Sequence, residues 1–180
     1  GRIAQQVRIV SRDKTRYGIS LWLDKHTGLP LKINTTDLDG QLVDQIQVTD
    51  LQILNQADST FDNLQSDKLP SVVPYRQSDN MLTQVNFGFL PQGMNIVRQD
   101  RHFLPMLGQP VDYWLLSDGV VPISVFVHAG PKGSDILTRA RAETILSQPV
   151  GRCYVTLIGK LPARTAKGIV DAMQIRNNQP

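Results

Sequence analysis

Tyr17-Gly-Ile-Ser-Leu-Trp-Leu-Asp24, continued by Lys25-His-Thr-Gly28 and Leu29-Pro-Leu-Lys-Ile33, alternates apolar and polar residues on both sides of a short glycine-containing connection. A period of two marks strands buried on one face, and a connection this short joins antiparallel neighbours. The pattern extends both ways. Upstream, Ile3, Val7 and Ile9 share a face. Downstream, Leu42, Ile46 and Val48 share one, and Ser11 to Arg16 and Asp37-Leu-Asp-Gly40 supply the polar connections. Residues 3–48 therefore read as a four-stranded antiparallel meander with one face apolar along every strand. No amphipathic helix follows to cover that face. Burying about a dozen such side chains contributes ~1.5–3 kcal/mol each, so a cover is required: missing upstream residues, a second copy of the chain, or a lipid-like ligand.

Between Asn55 and Asn80 the periodicity stops and Asp, Ser, Gln, Asn and Pro take over, the composition of an interdomain linker. Leu69-Pro-Ser-Val-Val-Pro74 reads as an extended piece within it. The expected organisation is residues 1–54 as strands of one domain, 55–80 as linker and 81–180 as a second, smaller domain. In that second part, 85–90 and 95–103 read as strands around a Pro91-Gln-Gly93 turn, and 111–116 and 121–128 as a hairpin through Ser117-Asp-Gly119. Pro122 cannot donate to a ladder, so its strand lies at an edge or its nitrogen points outward. Ser134 to Ser147 reads two ways, with Ser134 suited to a helix cap and Ala140 to Leu146 also alternating. A strand from about Ala140, paired through Gln148-Pro-Val-Gly151 with 152–158, is the preferred reading. Pro162 suits the first turn of a helix with Ala166, Ile169, Val170 and Met173 on one face. Gly168 inside it costs about 1 kcal/mol against alanine, which close packing on the sheet would explain. The fold class is mainly β, α+β: a remnant antiparallel sheet, then a small domain of antiparallel sheet with one C-terminal helix.

The 180 residues are 41% hydrophobic and 19% charged, the composition of a globular chain. A formal charge of +3 with scattered Lys and Arg gives no nucleic-acid footprint. The single cysteine, Cys153, excludes an intrachain disulfide framework and sits in a strand-like run as a small buried side chain. No run of about 18 apolar residues offers a membrane-spanning helix. Gly1 leads straight into a strand without initiator Met or signal peptide, the look of a fragment whose upstream part has been removed.

Chemistry is sparse. His26, His102 and His128 lack the spacing of zinc ligands, and Asp37-Leu-Asp-Gly40 lacks the further oxygen ligands of a calcium loop, leaving a hairpin turn. There is no P-loop, Gly-x-Gly-x-x-Gly or Gly-x-Ser-x-Gly pattern. No catalytic, metal or cofactor residue is assigned. Recognition remains. Arg98, Arg101, Lys132, Arg139 and Arg141 suit an acidic partner or lipid phosphate, against the competing reading of a plain solvated surface. Trp22 lies opposite Leu21 and Leu23, and Trp114 adjoins Tyr113, so one of each neighbouring pair faces away from the core, where it either anchors a partner or packs against another layer. The candidate partner-binding residues are Arg98, Arg101, Trp114, Arg139 and Arg141.

A series of short motifs then gains meaning from its order: Val7-Arg-Ile-Val-Ser-Arg-Asp-Lys-Thr-Arg-Tyr17, Leu21-Trp-Leu-Asp24, Thr27-Gly-Leu-Pro-Leu31, Asp37-Leu-Asp-Gly40, Phe89-Leu-Pro-Gln-Gly93, Leu116-Ser-Asp-Gly119, Ile158-Gly-Lys-Leu-Pro162 and Thr165-Ala-Lys167. Each is weakly specific, but together they resemble the RseB/MucB family, periplasmic negative regulators of the sigma-E envelope-stress response. The resemblance implies a large N-terminal domain like the lipoprotein carrier LolA, an unclosed barrel with an apolar concavity whose last strands are residues 1 to about 54. It further implies a smaller C-terminal domain that docks the periplasmic region of the anti-sigma factor RseA/MucA and protects it from regulated proteolysis. Sensing of lipopolysaccharide or lipid, and a periplasmic location, are implied with it. No individual site residue carries over. A lipid or lipoprotein carrier is the alternative function, an envelope enzyme a weaker one, and the uncovered sheet implies self-association as a homo-oligomer.

Overall fold

The computed structural model describes residues 1–63, 69, 80–104, 108–130 and 135–177, apart from the side chains of Asp62, Asn63 and His102. The period-two stretch forms β1 (Ala4–Ile9), β2 (Gly18–Asp24), β3 (Pro30–Thr36) and β4 (Leu42–Gln47), antiparallel and in sequence order. The register sets Val7, Leu21, Ile33 and Ile46 in one row across the four strands. The adjacent row, Gln6, Trp22, Lys32 and Gln47, falls on the opposite face. There the Lys32 ammonium stands 5.1 Å from the Trp22 ring centroid, so this tryptophan faces away from the apolar row as its position in the alternation requires. The apolar row is poorly covered. Ile46 remains 54% exposed, and among the described residues before Asn80 the only buried hydrophobic side chain is Tyr17.

The core lies in the second half. Strands β6 (Asn95–Leu104), β7 (Gln109–Ser117), β8 (Pro122–Ala129), β9 (Ile136–Ala140), β10 (Glu143–Val150) and β11 (Cys153–Gly159) form a sheet in the order β6-β7-β8-β11-β10-β9. β5 (Thr83–Phe87) and β12 (Met173–Asn177) form a separate antiparallel ribbon. Trp114, Leu116, Ile123, Val125, Val155 and Leu157 line one face of the large sheet. That face is closed by helix α1 (Ala163–Asp171), through Ala166, Ile169 and Val170, and by Val85, Phe87 and Ile175 of the ribbon. The hydrophobic effect therefore acts mainly here.

Several expectations shift. Met173 is buried, but it opens β12 instead of extending the helix, which stops at Ala172 and turns directly into a strand. Its helical spacing from Ile169 is coincidental, because both residues reach the same core from different elements. β5 pairs with β12, so the Pro91-Gln-Gly93 turn carries the chain from the ribbon to the sheet and closes no hairpin between β5 and β6. β8 is a central strand. Pro122 is tolerated because it is the first residue of that strand. β10 begins at Glu143, and the chain before it adds an unanticipated edge strand, β9, through a turn in which Arg141 has φ 56°. Most of the proposed linker, including Pro70 to Pro74, and Ser134 lie outside the described residues; Ser59–Asn63 forms a short 3-10 turn.

Two glycines act differently. Gly88 donates its N–H to the Ala172 carbonyl at 3.1 Å, and a Cβ on Gly88 would stand 2.6 Å from that same oxygen. Backbone meets backbone, so Gly88→Ala is expected to cost about 1–3 kcal/mol in denaturant-unfolding experiments. Gly168 faces the Phe89 ring, not the sheet, and a Cβ there would meet it at an ordinary 3.5 Å. Gly168→Ala is therefore expected to stabilise the protein by up to about 1 kcal/mol by helix propensity, read in the same experiment.

Candidate partner interface

The five candidate recognition residues do not form one patch. Trp114 is 3% exposed and packs edge-on to Phe87 with ring centroids 6.4 Å apart, so it is a core residue and not an exposed anchor. Tyr113, its neighbour, takes the opposite face, as strand alternation demands. Its ring lies 5.0 Å from that of Phe126, and its hydroxyl is 3.2 Å from Ser124 Oγ. Arg98 joins that face, with its guanidinium 5.8 Å from the Tyr113 ring and Nε donating to Asp100 at 2.7 Å. His128 and Tyr154 continue the aromatic strip across β8 and β11, with centroids 5.8 Å apart, and the imidazole Nδ1 lies 3.1 Å from Gln109 Nε2. Arg101 is on β6 as well and donates to the Asn80 carbonyl at 3.4 Å. Arg139 lies on β9, the opposite edge strand, and Arg141 in the turn that follows it. Arg139 donates to the Arg141 carbonyl at 3.1 Å and its guanidinium stands 5.9 Å from the Tyr17 ring. Lys132 lies outside the described residues.

What sequence reasoning missed is that its own motifs converge on one place. The β1–β2 connection is built by Asp13, whose carboxylate accepts hydrogen bonds from the Ser11 hydroxyl, from Thr15 Oγ1 at 2.7 Å and from the Thr15 N–H at 3.1 Å. Its second oxygen accepts the Gln92 N–H, from the Pro91-Gln-Gly turn, at 3.2 Å. Arg16 donates to the Asp118 carboxylate of the Ser-Asp-Gly turn and, at 3.0 Å, to the Gln92 carbonyl. Arg164, from the Leu161-Pro-Ala-Arg segment, donates to the Lys14 carbonyl at 3.0 Å, and Lys160 Nζ reaches Asp44 on β4 at 2.7 Å. The junction of the two sheets is thus a polar clasp. Its signal in sequence was Ser11-Arg-Asp-Lys-Thr15, a short side chain to main chain bonding pattern that fixes a turn.

Electrostatics bind the clasp to pH. Burial opposes ionisation of Asp13, but the donors from Ser11, Thr15 and Gln92 outweigh it and hold the carboxyl well below the usual carboxylate range. Asp118 behaves alike: burial is outweighed by the Val121 and Val120 N–H groups and by Arg16. Asp44 is lowered chiefly by Lys160. Because the folded values are depressed, the stability they contribute is present above the unfolded carboxylate value of about 4 and is lost as pH falls through the folded values. Limited proteolysis is expected to cut between the sheets faster at pH 3 than at pH 7, while the six-stranded core resists.

No catalytic arrangement emerges among the described residues. Cys153 is buried, its thiol pKa pushed up by desolvation and then by Asp112, and no group of three His, Cys, Asp or Glu side chains is placed to hold a metal. No helix among them is long and apolar enough to cross a membrane. The sequence matches the MucB/RseB N-terminal domain over residues 1–73 and the MucB/RseB C-terminal domain over residues 80–174. It is 30% identical over 177 residues to the sigma-E factor regulatory protein RseB of Salmonella typhimurium, covering 97% of this chain and 56% of that protein. It is 31% identical over 183 residues to the sigma factor AlgU regulatory protein MucB of Pseudomonas aeruginosa, covering 98% of this chain and 57% of that protein. The chain therefore spans little more than half the length of these relatives. The whole chain superposes on a protein of the Pseudomonas aeruginosa MucA/MucB complex with TM-score 0.78 at 26% identity, covering 62% of that chain. On MucB in complex with MucA(peri) the TM-score is 0.76 at 25% identity, covering all of this chain and 64% of that one. By the match to the C-terminal domain, which alone takes in more than half its residues, the chain belongs to the MucB/RseB family.

Proposed function

We propose that this chain belongs to a non-enzymatic periplasmic regulator that binds the periplasmic region of an anti-sigma factor of the RseA/MucA kind, shields it from regulated proteolysis and so restrains a sigma-E-type stress response. The observation that supports this reading is the superposition of the entire chain on solved structures of the MucA/MucB complex. A binding role also agrees with a site made of surfaces instead of a nucleophile and base. The test is titration of the protein with the periplasmic region of RseA or MucA, followed by a site-specific protease. Saturable binding with slowed cleavage is the expected result; cleavage at an unchanged rate under saturating protein would sink the proposal.

The uncovered apolar row on β1–β4 favours a second property, engagement of lipid acyl chains. Lipid then acts as a signal by binding better to a state with lower affinity for the anti-sigma segment, since a ligand shifts a balance only through its differential affinity. Lipopolysaccharide is expected to weaken the anti-sigma titration. A carrier of the LolA type would instead pass its lipid to an acceptor, and measured transfer with an anti-sigma affinity indifferent to lipid would favour that alternative.

A further inference from the structure

We propose that the groove between β5 and β6 takes an extended, acidic segment of the partner protein, which adds to β5 as a third strand and presents a carboxylate to Arg176. The partner is the anti-sigma periplasmic region of the preceding reading, on which this inference rests. The direction of the β5 main chain points to this. The Gly88 N–H donates to the Ala172 carbonyl at 3.1 Å, one step beyond the β5–β12 ladder. In an antiparallel pair the main-chain groups turn alternately toward and away from the neighbouring strand. Those of Asn86 and Gln84, opposite Gln174 and Arg176, therefore turn toward β12. Those of Thr83 and Val85 turn the other way. Thr83 confirms the parity independently, because its N–H donates at 2.7 Å to Asp112 on β7.

At Val85 no strand among the described residues continues the ribbon. A cavity of about 510 Å³ runs there instead, lined by Gln84, Val85, Ile96, Gln99, Trp114 and Arg176 among others. The volume falls in the ordinary range for ligand sites, about 300–1,000 Å³. A strand edge with main-chain groups turned outward is a template for an incoming extended peptide, while side-chain pockets supply the selectivity. Here Ile96, 45% exposed, gives an apolar wall. Arg176 supplies positive charge on the exposed face of β12, directly across from Gln84. An acidic segment with one apolar side chain meets both.

The experiment is residue-resolved amide hydrogen exchange of the whole chain, alone and saturated with the RseA or MucA periplasmic region, joined to affinity measurements on Arg176→Glu and Val85→Pro. Val85 is expected to exchange fast alone and at least tenfold more slowly in the complex, while Gln84 and Asn86 are slow in both. Arg176→Glu, on an exposed side chain that leaves the fold intact, is expected to weaken binding at least tenfold, with recovery when an acidic residue of the partner segment is changed to Lys. Val85→Pro removes the outward N–H without deleting a bond to β12 and is expected to weaken binding similarly. Tight binding with unchanged Val85 exchange and a neutral Arg176→Glu would overturn the groove while leaving the proposed function standing. A Val85 amide already protected in the free protein would show the edge occupied by the chain itself and overturn it too. Absence of binding by the unmodified protein would remove the functional reading and the groove together.

Discussion

Asp112→Ala is expected to destabilise the six-stranded sheet and its ribbon by about 3–5 kcal/mol, through unsatisfied buried polar groups. Asp112 is fully buried on β7, where its carboxylate accepts the Leu82 N–H at 3.1 Å, the Thr83 N–H at 2.7 Å and the Thr83 hydroxyl at 2.6 Å. Alanine leaves those donors unpaired where water has little access. Thr83 is itself buried, so the entry of β5 onto the sheet comes loose with them. Asp112→Asn retains one oxygen acceptor and is expected to lose less. Denaturant unfolding followed by Trp114 fluorescence reads both, because this ring lies beneath the ribbon that β5 helps to form. A change within about 0.5 kcal/mol for the alanine variant would show that other groups satisfy those donors.

Arg16→Ala is expected to cost about 2–3 kcal/mol at the junction of the two sheets and to leave the six-stranded core intact. Arg16 and Asp118 are each only 14% exposed at the side chain, and the same guanidinium also holds the Gln92 carbonyl. Exposed ion pairs contribute little, but removing one partner of a largely buried pair strands the other charge. The loss is therefore larger than for an exposed pair such as Lys167 with Asp171, whose side chains are 59% and 47% exposed. Small-angle scattering is expected to show a larger radius of gyration and proteolysis an early cut between the sheets. Arg16→Lys retains charge but not the planar fork that reaches two acceptors, and its effect is expected to lie in between. An unchanged radius and cleavage pattern in the alanine variant would mean that Arg164, Lys160 and Asp13 suffice to hold the junction.

The first sheet was readable residue by residue because alternation fixes both strand and face. Alternation alone places Val7, Leu21, Ile33 and Ile46 on one side, and the register sets them in one row. The second sheet was legible where a turn residue punctuates it, as at Ser117-Asp-Gly119. It failed where pairing is distant in sequence. Nothing local tells β5 that its neighbour is β12, nearly ninety residues away, and Met173 kept helical spacing after the helix had ended. Among candidate contacts, the arginines could be named but not grouped, because β6 and β9 occupy opposite edges of the same sheet. Trp114 was ambiguous from sequence for a related reason: alternation places Tyr113 and Trp114 on opposite faces but does not say which face the helix and ribbon will cover.

The lopsided distribution of buried apolar side chains sets the order in which the chain comes apart. The packed cluster of the described residues belongs to residues after Asn80, whereas the β1–β4 meander is joined to it by hydrogen bonds and charges around the Asp13 turn and at Asp44 on β4. Heat or denaturant is therefore expected to dissolve this chain in two stages, first the meander with its clasp and later the six-stranded sheet with α1. A single melting temperature would average two cooperative units, and a substitution in one of them would leave the other's transition where it was.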